Sequence, residues 1–183
     1  MKGLLATLLV ALPLAAAAAP GDPPASLYQL NAAIQTQDGK DAKLDLYRGQ
    51  PVLVSMFFAS CQATCPVIID TLRAIEKQAG PQAAKNLRVL LISFDSERDT
   101  PEALASMARE RRIDTKRWTL AHAEEGDVRK IAAALGQQYR KLPDGMFSHA
   151  TQISVLDARG EIVAQSATLG GVDEKLLAEI RSR

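Results

Sequence analysis

Val52-Leu53-Val54-Ser55-Met56-Phe57-Phe58-Ala59-Ser60-Cys61-Gln62-Ala63-Thr64-Cys65-Pro66 runs from a nearly unbroken apolar stretch, through a short corner, into a proline suited to the first turn of a helix. A continuous apolar run of this length is the pattern of a strand covered on both faces, as in a parallel sheet. Val89-Leu90-Leu91-Ile92-Ser93-Phe94 repeats it. Between and after the two runs the apolar period changes to that of helices. Ile68, Leu72, Ile75 and Ala79 follow Pro66; Leu104, Met107 and Ala108 follow the start signal Thr100-Pro101; Val128, Ile131, Ala132 and Leu135 end at Gly136, a C-cap residue.

Outward from this centre, Leu30 to Leu46 alternates around Asp38-Gly39, which predicts an N-terminal β-hairpin. A short strand is expected near Trp118. Thr151 to Leu156 alternates, Asp157-Ala158-Arg159-Gly160 turns, and Glu161 to Ala164 returns as a hairpin; Leu176, Leu177 and Ile180 after Asp173 make a terminal helix. Strands alternating with helices in this order predict an α/β sandwich.

On that skeleton Cys61 and Cys65, the only cysteines of the chain, fall at the carboxyl end of a strand where it turns into a helix. Open α/β sheets bind and react at such corners. With Pro66 as the first helical residue, Cys65 lies at the helix N-terminus, whose dipole and open amides are expected to lower a cysteine pKa. A purely structural disulfide would close only a very short ring and restrain little of the unfolded chain. A redox pair or a pair of soft metal ligands is therefore the favoured reading. Two thiolates rarely complete a metal site. Of the two histidines, His149, in Phe147-Ser148-His149-Ala150 just before the late strand, is placed to supply a third ligand. His122, expected in a loop leading to the third helix, reads as an ordinary surface or core residue. Met56 and Met146 read as packing residues.

Residues 1–19 carry Lys2, an apolar stretch from Leu4 to Ala19 and the small residues Ala15 to Ala19, the pattern of a cleaved secretory signal peptide; retention as an anchor is the alternative. Residues 20–29 form a Pro/Gly-rich lead-in and 30–183 one domain of ordinary size. The expected compartment is the bacterial periplasm, where disulfides are permitted. The formal net charge of +1 falls to zero when Lys2 leaves with the leader, so no basic field marks a nucleic-acid binder. Arg109-Glu110-Arg111-Arg112 is the densest charge cluster and reads as a solvated helix end.

Three features together make the chain resemble the Sco/SenC family of thioredoxin-like copper proteins: Cys61-x-x-x-Cys65-Pro66 after an aromatic strand, Ser93-Phe94-Asp95-Ser96-Glu97-Arg98-Asp99-Thr100-Pro101-Glu102 after the second strand, and His149 ahead of Ile153-Ser154-Val155-Leu156-Asp157. The resemblance implies a thioredoxin-like three-layer sandwich with an added N-terminal hairpin. It implies one copper ion, Cu(I) or Cu(II), held by Cys61, Cys65 and His149. It also implies a metallochaperone role toward the copper subunit of a respiratory oxidase or another periplasmic copper or thiol protein. Thiolates suit Cu(I), imidazole suits both copper states, and three ligands leave a position open for transfer.

Gln62, Ala63 and Thr64 stand where many members of that family carry Pro, Asp and an aliphatic residue, and Ser148 replaces the usual aspartate before the histidine. A less anionic loop should lower thiol pKa values and attract a cation less. The second hypothesis is a thiol-disulfide oxidoreductase in which Cys61 attacks a partner disulfide and Cys65 resolves the mixed intermediate. A peroxide-reducing enzyme fits less well, because no single dominant cysteine with its own supporting residues is recognisable.

Overall fold

The computed structural model describes residues 21–61 and 64–183. The expected signal peptide over 1–19, together with Gln62 and Ala63, lies outside these residues, and the Thr64 side chain is likewise outside the description. The elements are β1 (Ala33–Thr36), β2 (Asp41–Lys43), β3 (Val52–Phe57), α1 (Thr64–Asn86), β4 (Arg88–Ser93), α2 (Pro101–Glu110), β5 (Trp118–His122), α3 (Glu125–Ala134), β6 (Tyr139–Lys141), β7 (Phe147–His149), β8 (Ile153–Leu156), β9 (Ile162–Ser166) and α4 (Glu174–Arg181).

Seven strands form one sheet in the order β2-β1-β5-β4-β3-β8-β9. Its centre is parallel: Val54 pairs with Leu90, and Leu90 with Thr119. The two apolar runs are these central strands, and every residue of β3 is buried. The expected N-terminal hairpin forms around Gly39, whose positive φ of 72° suits the turn. It extends the main sheet, since β1 pairs antiparallel with β5. Burial of β8 does not follow the alternation of its sequence: Ile153–Leu156 are all buried because β8 lies inside the sheet, between β3 and β9.

Two parallel steps in the same direction, β3 to β4 and β4 to β5, place α1 and α2 on one face when each crossover is right-handed. Arg73 of α1 donates to the carbonyl oxygens of Arg111 and Arg112 just past α2, and α4 packs against α1. The opposite layer holds α3. Its Asp127 Oδ2 accepts the Ala33 amide at the β1 side, and Gln165 of β9 donates to the Leu135 carbonyl at the other end. The helix starts follow the sequence signals: Thr100 caps α2 ahead of Pro101, and the Asp173 carboxylate accepts the Lys175 and Leu176 amides of α4.

The predicted stripe of α1 is buried throughout, with Ile68, Leu72 and Ile75 at 2% exposure or less. Each such side chain contributes about 1.5–3 kcal/mol relative to exposure. The helix starts at Thr64, two residues before the expected Pro66, and Pro66 sits in the first turn, where its missing donor costs nothing. Gly80 breaks the helix with φ 87° and ψ 165°, and Pro81 begins the second segment. Only glycine adopts that backbone readily, and a residue before proline avoids the helical region. Arg109, Glu110, Arg111 and Arg112 are exposed, as a solvated helix end should be. Among the described residues no helix is long and apolar enough to cross a membrane.

Candidate metal centre

The carboxyl ends of β3 and β4 lie side by side, Phe57 paired with Ser93, and the Phe94 amide donates to the Phe57 carbonyl at 2.7 Å. Phe58 and Phe94 therefore leave the sheet together. From Phe58 the chain turns at once, the Cys61 amide donating to the Phe58 carbonyl at 3.2 Å, and reaches α1 within a few residues. Cys61 is 7% exposed and Cys65 1%, so the pair lies in the floor of the corner with Cys61 nearer the surface.

The Cys65 amide donates to Cys61 Sγ at 3.4 Å. This amide is one of the first-turn donors that a helix cannot satisfy internally. The helix start thus serves the sulfur of Cys61, while the Cys65 thiol is drawn into the core. The expected lowering does not hold for Cys65. Burial pushes its thiol well above the ordinary value; a hydrogen bond from the Phe58 backbone offsets this in part, and Cys61 and Asp99 add to it. A helix terminus is worth about 0.3–1 kcal/mol, whereas full burial can move a titrating group by about 3–5 pH units, so desolvation wins.

His149 lies in a strand of its own hairpin. It ends β7, which pairs with β6 in a two-stranded hairpin, Tyr139 opposite His149, apart from the main sheet. The ring packs edge-on to Phe58 at 5.9 Å between centroids and tilted against Phe94 at 5.0 Å. Its Nδ1 lies 3.0 Å from the Ala150 carbonyl oxygen. A carbonyl can only accept, so this contact sets the proton on Nδ1 and leaves Nε2 with the lone pair, the usual arrangement of a metal-binding histidine. Phe58 is the common neighbour of Cys61, Cys65 and His149. Among the described residues no three His, Cys, Asp or Glu side chains are already gathered into a metal-holding set. The donor chemistry fits copper, and His149 stands at the rim of the corner.

The other sequence candidates stay apart. His122 ends β5, opposite Gln35, rather than lying in a loop. Met56 is fully buried in β3, and Met146 packs partly buried against the core. Ser148 is exposed beside His149.

Three residues of the segment after β4 support the corner and were not assigned roles from sequence. Asp99, 2% exposed, accepts the Ala59 amide at 2.7 Å and the Ser93 hydroxyl, and so ties the β3 loop to the β4 loop. Burial raises its carboxyl pKa above the usual 3.8, against lowering by the Ser93 and Ala59 hydrogen bonds. Asp95, 1% exposed, accepts from Arg98 Nε, and Arg98 Nη2 donates onward to the Gly145 carbonyl in the β6–β7 turn. The β6–β7 hairpin itself had a legible signal in Pro143-Asp144-Gly145, a turn tripeptide.

Residues 28–183 match the family model described as SCO1/SenC. A SCO1 protein homolog of Bacillus subtilis (strain 168) is 27% identical over 114 residues, covering 61% of this chain and 58% of that relative, so the match spans little over half of the relative's length. Among solved structures the chain is similar to Bradyrhizobium japonicum ScoI with copper bound, with a TM-score of 0.69 and 20% identity over 82% of this chain and 96% of that one. It is also similar to BsSco, described as a member of the Sco family of cytochrome c oxidase assembly proteins with a disulfide switch, with a TM-score of 0.68 and 19% identity over 89% and 97% of the two chains. The fold is the thioredoxin-like α/β sandwich that the sequence resemblance implied.

Proposed function

The chain belongs to the SCO1/SenC family, and from that premise we propose that it is a periplasmic copper metallochaperone. Copper is its cargo, held one ion per chain by Cys61, Cys65 and His149, for delivery to the copper subunit of a respiratory oxidase. The observation that carries this reading is the meeting at Phe58 of the cysteine corner and His149, whose Nδ1 is engaged by Ala150 and whose Nε2 is available. Cu(I) takes the two thiolates, and the imidazole adds the donor that suits Cu(II). The buried Cys65 thiol gives up its proton when it ligates, so binding releases acid. A three-donor set leaves one position through which a recipient's ligand can enter and draw the ion away. Copper titration of the reduced protein and of His149→Ala tests it.

A second reading, a thiol-disulfide oxidoreductase, is favoured by the contact of the Cys65 amide with Cys61 Sγ. A hydrogen-bond donor at that sulfur stabilises its thiolate, and Cys61 is also the more exposed of the two. The Cys61 thiolate would attack one sulfur of a partner disulfide and expel the other as a thiolate. Cys65, losing its proton to solvent, would then attack Cys61, closing the Cys61–Cys65 disulfide and leaving the partner reduced by two electrons. Failure of Cys61→Ser to reduce a disulfide substrate that the wild type reduces is the expected result.

A further inference from the structure

His149 sits on an element that the sheet does not hold. The β6–β7 hairpin is a separate two-stranded unit, and such a hairpin is marginal on its own. What fixes it is therefore a question of side chains. Its aromatic face rests on the corner, Phe147 on Phe58 at 5.3 Å and Tyr139 stacked on Phe94 at 4.7 Å. These contacts are non-directional and would allow the hairpin to slide. Directional ties hold both ends: at the open end Gln137 Nε2 donates to the Ala150 carbonyl at 2.9 Å and Tyr139 hydrogen-bonds Arg129 of α3, and at the turn the tie into the buried loop after β4 is Arg98. Arg98 places Nε on the carboxylate of Asp95, whose side chain is 1% exposed, and Nη2 on the carbonyl oxygen of Gly145 at the hairpin turn. Asp95 is in turn anchored, its Oδ1 accepting the Arg98 amide at 3.2 Å and its own amide donating to Ser93 Oγ at 2.9 Å. Gly145, at φ 79°, leaves its Cα face open beneath the guanidinium, where a Cβ would lie 3.5 Å from Nη1. The turn is closed by the Leu142 amide on the Met146 carbonyl at 2.7 Å and the Gly145 amide on the Leu142 carbonyl at 2.9 Å, so a force at Gly145 is passed to both strands.

We propose that Arg98 is the positioning residue for His149: it clamps the β6–β7 hairpin to the β4–α2 loop and so sets how near the imidazole stands to Cys61 and Cys65. A planar guanidinium can satisfy a carboxylate and a carbonyl at once, in fixed directions. A lysine is a point donor and can serve one of them. A second tie at the turn end, Lys141 Nζ to Glu97 Oε2 at 2.6 Å, joins side chains 43% and 72% exposed, with no buried partner such as Asp95, and contributes little. The consequence for copper rests on the ligand set proposed above; the clamp itself does not.

The test uses full-length mature protein without metal, then with copper. Hydrogen exchange of the amides over 139–149 is expected to accelerate by about tenfold or more in Arg98→Ala and in Arg98→Lys, with α3 and α4 unchanged, because an opening free energy lower by about 1.4 kcal/mol is a tenfold change. Lys141→Ala should stay within about twofold of wild type. Unchanged exchange in Arg98→Lys, a variant that keeps the charge and should fold, overturns the clamp. In the copper arm, Arg98→Ala should weaken Cu(II) about tenfold and shift its visible spectrum toward that of His149→Ala, while Cu(I), held by the thiolates, stays within about threefold. Wild-type Cu(II) affinity and spectrum in Arg98→Ala would overturn the positioning role. Should His149→Ala itself leave Cu(II) binding unaltered, the ligand assignment fails and the exchange measurement alone decides the clamp.

Discussion

The amide of Cys65 points at Cys61 Sγ across 3.4 Å, so the open helix start serves the outer sulfur while the inner one is buried. The two thiols are therefore unequal. Under limiting iodoacetamide near neutral pH, Cys61 should be alkylated at least about tenfold faster than Cys65, since the thiolate is the nucleophile and Cys65 is both raised and 1% exposed. Peptide mass spectrometry reads the ratio; equal labelling of the two would contradict this geometry.

Asp99 links Ala59 and Ser93 and carries a carboxyl pKa raised by burial. In the window between the unfolded value near 3.8 and the raised folded value, the native state binds more protons than the unfolded one. Stability from this group is therefore complete below that window and lost as pH rises through the folded value. Asp99→Asn keeps an acceptor and should flatten the acid limb of the urea midpoint against pH. Asp99→Ala leaves the Ala59 amide without its partner and should cost about 1–3 kcal/mol. An unaltered pH profile in Asp99→Asn would argue against the raised carboxyl.

Gly160 closes the β8–β9 turn at φ 80°, and a Cβ there would lie 2.5 Å from the Tyr28 ring. The Leu27 amide donates to its carbonyl at 2.8 Å, so this turn is where the lead-in to the domain docks. Gly160→Ala should destabilise by about 1–3 kcal/mol, read as a lower urea midpoint, with the cysteine chemistry intact.

Ser148 is exposed next to His149, where the family resemblance implies an aspartate. A carboxylate about 6 Å from a divalent ion in water is worth about 1.4 kcal/mol before salt screening. Ser148→Asp should tighten Cu(II) by a few-fold to about tenfold at low salt, and less at high salt. Equilibrium competition with a chelator measures it; no gain at low salt would show that the replaced carboxylate does not act through charge.

The central strands and the helix starts were legible because their signals are local: unbroken apolar runs at Val52 and Val89, Thr100-Pro101, and Asp173. The cysteine corner followed from them. The position of His149 did not, since β6 and β7 are three residues each, with exposed Arg140, Lys141 and Ser148, and show no buried periodicity. Its place is set by aromatic packing on Phe58 and Phe94 and by Arg98, contacts between segments far apart in sequence. The rise of the Cys65 thiol is hidden from the sequence for the same kind of reason. A helix start can be read from Pro66, whereas the depth of burial that overrides it is a property of the assembled core.

The most direct test of the account is copper titration of the reduced protein, with Cu(I) and Cu(II) measured separately on wild type and His149→Ala. The account predicts one copper per wild-type chain in either state, Cu(I) affinity in His149→Ala within about tenfold of wild type, and loss of tight Cu(II) binding in that variant. Undiminished Cu(II) affinity in His149→Ala would contradict it.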